Sequence, residues 1–186
     1  PQIYFTGNGE GGMRLKRYLD EMDGKLTTNL WPYAEVGHTD EAKKGIKALF
    51  DGAAPFDTPK PVRLIDRILS IATQSDSLVL DFFSGSATTA EAVIRKNAED
   101  GGNRQFILVQ IPEPTKSSWG SLCDVGEERI RRAGDKIKAE VVEANQQLKL
   151  SEDPKQLPDI GFRVFTLDDS NIQTPQPGEL LDNVVK

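Results

Sequence analysis

The chain has 186 residues, 37% of them hydrophobic and 28% charged, which is enough for one domain with a substantial core. Its formal net charge of -6 excludes binding to nucleic acid through overall electrostatics, so any phosphate contacts must come from local basic patches or from another polypeptide. A single cysteine, Cys123, and a single histidine, His38, exclude a disulfide framework and a zinc site. No apolar run reaches membrane-spanning length and no secretory signal opens the chain, so a cytoplasmic location with no membrane contact is expected.

In chain order, Pro1 to Phe5 is a short β-like run that begins abruptly, as though inside a longer sequence, and a glycine-rich loop follows to Gly12. Met13, Leu15, Tyr18, Leu19 and Met22 predict a short helix whose Arg14, Lys16 and Arg17 form either a solvated face or phosphate contacts. Thr28 to Gly37 reads as extended, with Pro32 opposing helix. Thr39 to Phe50 is a predicted helix, capped by Thr39, with Ala42, Ile46 and Leu49 at helical spacing. His38 reads as a turn residue rather than a base. In Phe56–Leu69, Pro59 and Pro61 stiffen the chain on either side of Lys60, and Pro61 opens a helix bearing Leu64, Ile65, Ile68 and Leu69 on one stripe.

The stretch from Leu78 to Val93 organises the rest. Leu78, Val79 and Leu80 read as a buried parallel strand ending at Asp81. Phe82, Phe83, Ser84, Gly85, Ser86 and Ala87 make a tight turn, and Thr88 and Thr89 lead into a helix with Ala90, Val93 and Ile94 on one face. Such a strand–turn–helix presents backbone N–H groups beyond the strand's carboxyl end, where Gly85 permits close approach and Ser84, Ser86, Thr88 and Thr89 supply short hydroxyls. A phosphate-cradling loop needs Gly-Lys-Ser/Thr, yet the first lysine after the strand is Lys96. A dinucleotide fingerprint needs three spaced glycines, and only Gly85 is present.

Gln105 to Ile111 is a second predicted strand, which completes a βαβ unit. At its end either Gln110 or Glu113 stands where ribose hydroxyls are bound in nucleotide folds. Gln110 is favoured by position, whereas Glu113 would give the stronger, charge-assisted bond. Gly126 to Leu148 reads as a long helix with Arg129, Arg131, Arg132, Lys136 and Lys138 on its early turns, weakened at Gly134 by about 1 kcal/mol. Phe162 to Leu167 alternates like an edge strand, and Asp168 to Lys186 is a polar tail.

Asp81-Phe82-Phe83-Ser84-Gly85-Ser86-Ala87-Thr88-Thr89 resembles motif I of the amino-group DNA methyltransferases, and Thr58-Pro59-Lys60-Pro61 before a leucine-rich helix resembles their motif X. The order of motif X before motif I is that of the permuted β group. Glu35-Val36-Gly37-His38-Thr39, Asp100-Gly101-Gly102-Asn103-Arg104, Val109-Gln110-Ile111-Pro112-Glu113-Pro114, Glu128-Arg129-Ile130-Arg131-Arg132 and Gly161-Phe162-Arg163-Val164-Phe165 are similar to the Mod subunits of type III restriction–modification systems. The resemblance implies an α/β fold, a partial Rossmann-like methyltransferase with a parallel sheet and flanking helices. It implies S-adenosylmethionine as cofactor, with Asp81 to Thr89 and Gln110 or Glu113 at the adenosine and Thr58, Lys60 and Pro61 at the methionine end.

Three segments follow from the same resemblance: the end of a target-recognition region over residues 1–37, a cofactor-binding subdomain over 38–167, and the tail over 168–186. The partners implied are DNA through the complete subunit, a missing N-terminal catalytic half, a second Mod subunit and a Res restriction subunit. Two departures stand out. Ala87 replaces a glycine of the family loop, which requires φ < 0 there for an unstrained backbone. The Asp-Pro-Pro-Tyr type of motif that carries methyl transfer in the family is absent, so no residue here is assigned as catalytic and the isolated chain is expected to be inactive. The alternative is a non-enzymatic docking module that keeps the fold as a scaffold.

Overall fold

The computed structural model describes residues 2–6, 10–16, 27–115, 118–148 and 153–168. The chain order is β1 (Gln2–Phe5), β2 (Met13–Lys16), α1 (Tyr33–Val36), α2 (Thr39–Leu49), α3 (Val62–Ala72), β3 (Leu78–Asp81), α4 (Thr88–Asp100), β4 (Gln105–Leu108) and α5 (Leu122–Gln146). β1 and β2 form an antiparallel hairpin with Ile3 opposite Leu15 and Phe5 opposite Met13. The helix expected from Met13 is therefore a strand at its start, and the remainder of that expectation, from Arg17 to Met22, lies outside the described residues. Met13 and Leu15 fit a period of two as well as a helical stripe, and the pairing with β1 decides between them. The extended reading of Thr28–Gly37 also fails in part, because Pro32 serves as the N-cap of the one-turn α1 instead of opposing it.

β3 and β4 pair in parallel, with Leu78 opposite Gln105 and Asp81 opposite Leu108. α4 is the crossover between them, as the βαβ reading predicts. One face of this ribbon is covered. Val79 and Phe106 pack with Leu69, Ala92 and Val93, while Phe106 and Leu108 join Ala90, Ile94, Ala98, Ile130, Ile137 and Val141 between α4 and α5. Each fully buried Ile or Val of that cluster contributes roughly 1.5–3 kcal/mol relative to exposure. The other face is bare: Leu78 and Leu80 are each 60% exposed, and Ile107, Val109, Ile111 and Phe82 are open beside them. β3 is thus not the strand buried on both faces that its apolar run predicts, because among the described residues nothing covers this side. Phe162–Leu167 is not a strand either. Phe162 packs on the α4–α5 core and under the Arg131 guanidinium, whereas Val164, Phe165 and Leu167 are exposed.

Polar contacts fix the periphery. Arg63 donates to both carboxylate oxygens of Glu41, at 2.8 and 2.6 Å, and to the carbonyls of Ala34 and Glu35, tying α1 and α2 to α3. α2 begins at Thr39 as expected, but the cap is His38 rather than Thr39, its Nδ1 accepting from the Glu41 N–H at 3.2 Å. Asn97 imitates a strand neighbour for Arg104, donating from Nδ2 to its carbonyl and accepting its N–H at Oδ1. α5 begins at Leu122, before the expected Gly126, because Ser121 and Asp124 form a reciprocal capping box. The Ser121 hydroxyl and N–H hold the Asp124 carboxyl below the usual carboxylate range.

Gly134 sits where the returning chain crosses α5. A Cβ there would come within 3.0 Å of the Ile160 Cβ and 3.2 Å of its Cγ2. Gly134→Ala is therefore expected to destabilise the chain by about 1 kcal/mol, since overpacking outweighs the helix-propensity gain. Gly45→Ala in α2 meets no atom within 4 Å and should stabilise by about 0.5–1 kcal/mol. Urea unfolding of the two variants beside the parent measures the contrast.

Candidate functional site

The loop from Phe82 to Ala87 leaves the carboxyl end of β3 and delivers the chain to the N-terminus of α4. Its backbone is held at several steps. Ser84 N–H donates to the Val109 carbonyl at 3.2 Å, Gly85 N–H to Gln110 Oε1 at 2.8 Å, and Ala87 N–H back to the Ser84 carbonyl at 2.8 Å. Asp81 works inside the loop, where Oδ1 accepts from Phe83 N–H at 3.1 Å and Oδ2 from the Thr89 hydroxyl at 2.5 Å. Ser86, Thr88 and Thr89 are buried, and the first two face Arg129 of α5. The hydroxyls of Thr88 and Thr89 are thus engaged within the chain. The exposed part of the loop is Phe82 and Phe83, whose rings lie 5.1 Å apart, with half-buried Gly85 next to them.

Gly85 has φ 53°, and a Cβ there would lie 3.9 Å from the Phe56 ring. Its conformation, more than crowding, calls for glycine. The same contact places Phe56 beside the loop. Phe56 is anchored in the cluster of Ile46, Phe50, Leu122 and Val125. Pro61 is buried as the N-cap of α3, and Thr58 and Lys60 are exposed. Phe56, two residues before the Thr58–Pro61 motif, is the residue of that segment that meets the loop.

Ala87 corrects an expectation. It adopts φ 61°, the left-handed region, rather than φ < 0. It is 2% exposed, and it caps α4 in the αL conformation without a side-chain bond. α5 crosses it at Gly126, where an added Cβ would lie 3.4 Å from the Ala87 methyl. The buried methyl offsets part of the backbone strain.

Gln110 and Glu113 lie beyond β4, which ends at Leu108 rather than Ile111. Gln110 Oε1 is taken by Gly85, and its Nε2 donates to the Ile111 carbonyl. Its own carbonyl accepts from the Cys123 thiol at 3.4 Å, a thiol that burial pushes above its ordinary pKa and keeps neutral. Glu113 is exposed. Its N–H donates to Ile111 and its carbonyl accepts from Leu122, so the start of α5 fixes its place. Arg129, read from sequence only as one of several cations on the early turns of the long helix, is buried against the loop. The partner that buries it, Glu91, lies 38 residues away, and no local pattern signals the pairing.

Comparison with known proteins bears directly on this constellation. The family of DNA methylases of the N6/N4 type matches residues 8–145, spanning the whole site. The chain belongs to this family. Over 153 residues the chain is 40% identical to the type III restriction–modification enzyme StyLTI Mod subunit of Salmonella typhimurium, covering 78% of the chain and 23% of that protein. It is 41% identical over 120 residues to the EcoPI Mod subunit of Escherichia phage P1, covering 61% and 18%. Against the type II methyltransferase M.KpnI of Klebsiella pneumoniae it is 35% identical over 141 residues, covering 72% and 33%. The resemblance to Mod subunits read from the motifs is borne out, and the chain spans about a quarter or less of the Mod relatives' length. Among the described residues no helix is long and apolar enough to cross a membrane. Nor does any cluster of His, Cys, Asp or Glu among them suit a metal ion.

Ala87→Gly is expected to leave stability within about 0.5 kcal/mol. Relief of roughly 1–2 kcal/mol of left-handed strain is balanced by the lost methyl and by glycine's freer unfolded chain. Ala87→Val should cost at least about 2 kcal/mol, because a branched side chain resists positive φ and meets α5. Denaturant midpoints of both variants check the balance.

Proposed function

We propose that this chain is the cofactor-binding part of a site-specific DNA methyltransferase that moves a methyl group from S-adenosylmethionine to adenine N6. The observation that carries the reading is the pre-wired loop between β3 and α4 with the Phe56 ring beside Gly85, in a chain of the DNA methylase family. The residues fit such a ligand. They offer a glycine backbone, two exposed aromatic rings and no phosphate-binding lysine. S-adenosylmethionine supplies the electrophilic methyl group.

In this reading the adenosine lies against Phe82, Phe83, Ser84 and Gly85. Asp81, Ser86, Thr88 and Thr89 act by holding the loop's shape. Thr58, Lys60 and Pro61 lie toward the methionine end. With Gln110 Oε1 committed to Gly85, the ribose hydroxyls fall to Glu113, whose main chain is tied to α5. The segment assignment is a connector of the target-recognition region over 1–37, a Rossmann-like cofactor-binding subdomain over 38–167 and a polar tail over 168–186. DNA, the catalytic Asp-Pro-Pro-Tyr half, a second Mod subunit and a Res subunit are the partners of the complete protein. The docking-module alternative has no use for a cofactor affinity.

Titration calorimetry with S-adenosylmethionine and its demethylated product should show binding. Gly85→Val should abolish it, because a branched residue resists φ 53° and its side chain intrudes beside Phe56. Glu113→Ala should weaken binding by about 1.5–3 kcal/mol, the range for a hydrogen bond to a charged group. Equal affinity of the parent and Gly85→Val would overturn the assignment.

The apolar face and the β3 edge, uncovered among the described residues, predict that the 186-residue chain self-associates and transfers no methyl group. Adding a separately expressed half that carries Asp-Pro-Pro-Tyr should restore solubility and adenine methylation. Labelled-methyl incorporation into DNA by the chain alone would count against this.

A further inference from the structure

Arg129 is 2% exposed, although it stands in a run of charged residues on α5. Its Nε donates to Glu91 Oε2 on α4 at 2.8 Å. Its Nη1 donates to Thr88 Oγ1 at 2.7 Å, Ser86 Oγ at 2.9 Å and the Ser86 carbonyl at 3.3 Å. The neighbouring cations of α5 make a contrast. Arg131 pairs with Glu127 and Glu128, and Arg132 pairs with Glu128 and Asp51, on exposed or half-exposed surface. Arg129 alone among these turns inward, onto Ser86 and Thr88 of the loop that carries Gly85. One rigid planar group therefore joins α4, α5 and the loop, and a buried guanidinium with its partners in place tolerates little movement.

We infer that Arg129 is a positioning residue for the cofactor loop: oriented by Glu91, its guanidinium fixes Ser86 and Thr88 and thereby sets the loop backbone that the ligand meets. This deepens the proposed cofactor function and rests on it. Asp81 secures the same helical turn from the strand side through Thr89, so the first turn of α4 is held from two directions. Lysine cannot replace Arg129, because a single ammonium cannot reach Glu91 and the Ser86–Thr88 pair with the geometry of a planar fork.

The test compares the parent chain, Arg129→Lys, Glu91→Gln and Thr88→Val. Three quantities are read on each: thermal unfolding, amide hydrogen exchange by segment, and calorimetric affinity for S-adenosylmethionine. In Arg129→Lys, amides of residues 84–89 should exchange at least about tenfold faster, while those of 92–98 and 105–108 keep the parent's protection. Cofactor affinity should fall by about tenfold or more at an unchanged folded fraction. Thr88→Val, nearly isosteric and with the ion pair left intact, should show the same loop signature at smaller size, and it decides the question if Arg129→Lys fails to fold. Glu91→Gln should lie between the parent and Arg129→Lys. If loop exchange accelerates only in step with the global rate and affinity is unchanged, Arg129 is merely a core ion-pair residue and the inference is overturned. If the parent binds no S-adenosylmethionine, the cofactor reading falls on its own, and the loop-exchange comparison still decides whether Arg129 sets the loop.

Discussion

Burial of α4 on nearly every side is the constraint on which the remainder depends. Ala92 and Val93 meet α3 through Leu69, Ala90 and Ile94 meet α5 through Ile130 and Ile137, and Phe106 of β4 closes the gap between the two clusters. A helix so enclosed needs small residues at its crossings, and Ala90, Ala92 and Ala98 supply them. Its N-terminus cannot drift once the body is fixed. The loop that feeds it is then confined between a strand end, a buried helix and the overhead crossing of α5. Order at the β3–α4 loop is thus inherited from apolar packing behind it.

Polar groups finish what packing begins, with a clear division of labour. Side chains that look in sequence like ligand donors, such as the hydroxyls of Thr88 and Thr89 and the carboxylate of Asp81, are satisfied within the chain. What remains facing outward includes backbone, the aromatic surface of Phe82 and Phe83, and the carboxylate of Glu113. Such a division suits a site that must hold its shape before a ligand arrives, because groups already bonded need no reordering when it does.

Legibility in the sequence follows the range of the physics. Helices α3 and α4 declare themselves through several turns of apolar spacing, and the Asp81–Thr89 turn through its composition, because the determinants are local. Where a short alternating run could serve two periods, as at Met13–Leu15, the partner strand decides, and that partner is not encoded locally. Phe162–Leu167 shows the reverse: it alternates like a strand but finds no edge, and Phe162 is drawn instead onto the α4–α5 core. The start of α5 is encoded locally by the capping-box spacing of Ser121 and Asp124, whereas the helical apolar pattern becomes continuous only downstream. The left-handed Ala87 and the inward turn of Arg129 were beyond reach. Both arise from how α5 crosses the loop, across sequence separations that composition does not register.

The one-sided β3–β4 ribbon has a thermodynamic consequence of its own. Leu78, Leu80, Ile107 and their neighbours make a surface with the make-up of an interior. Whatever lies on it meets this chain as one layer of a core meets the next, not as two finished domains meet across a tether. Association of that kind carries a negative heat-capacity change, so its enthalpy and entropy shift against each other with temperature. Contact across this seam should loosen on cooling, as hydrophobic cores do, while the hydrogen-bonded wiring of the loop should not.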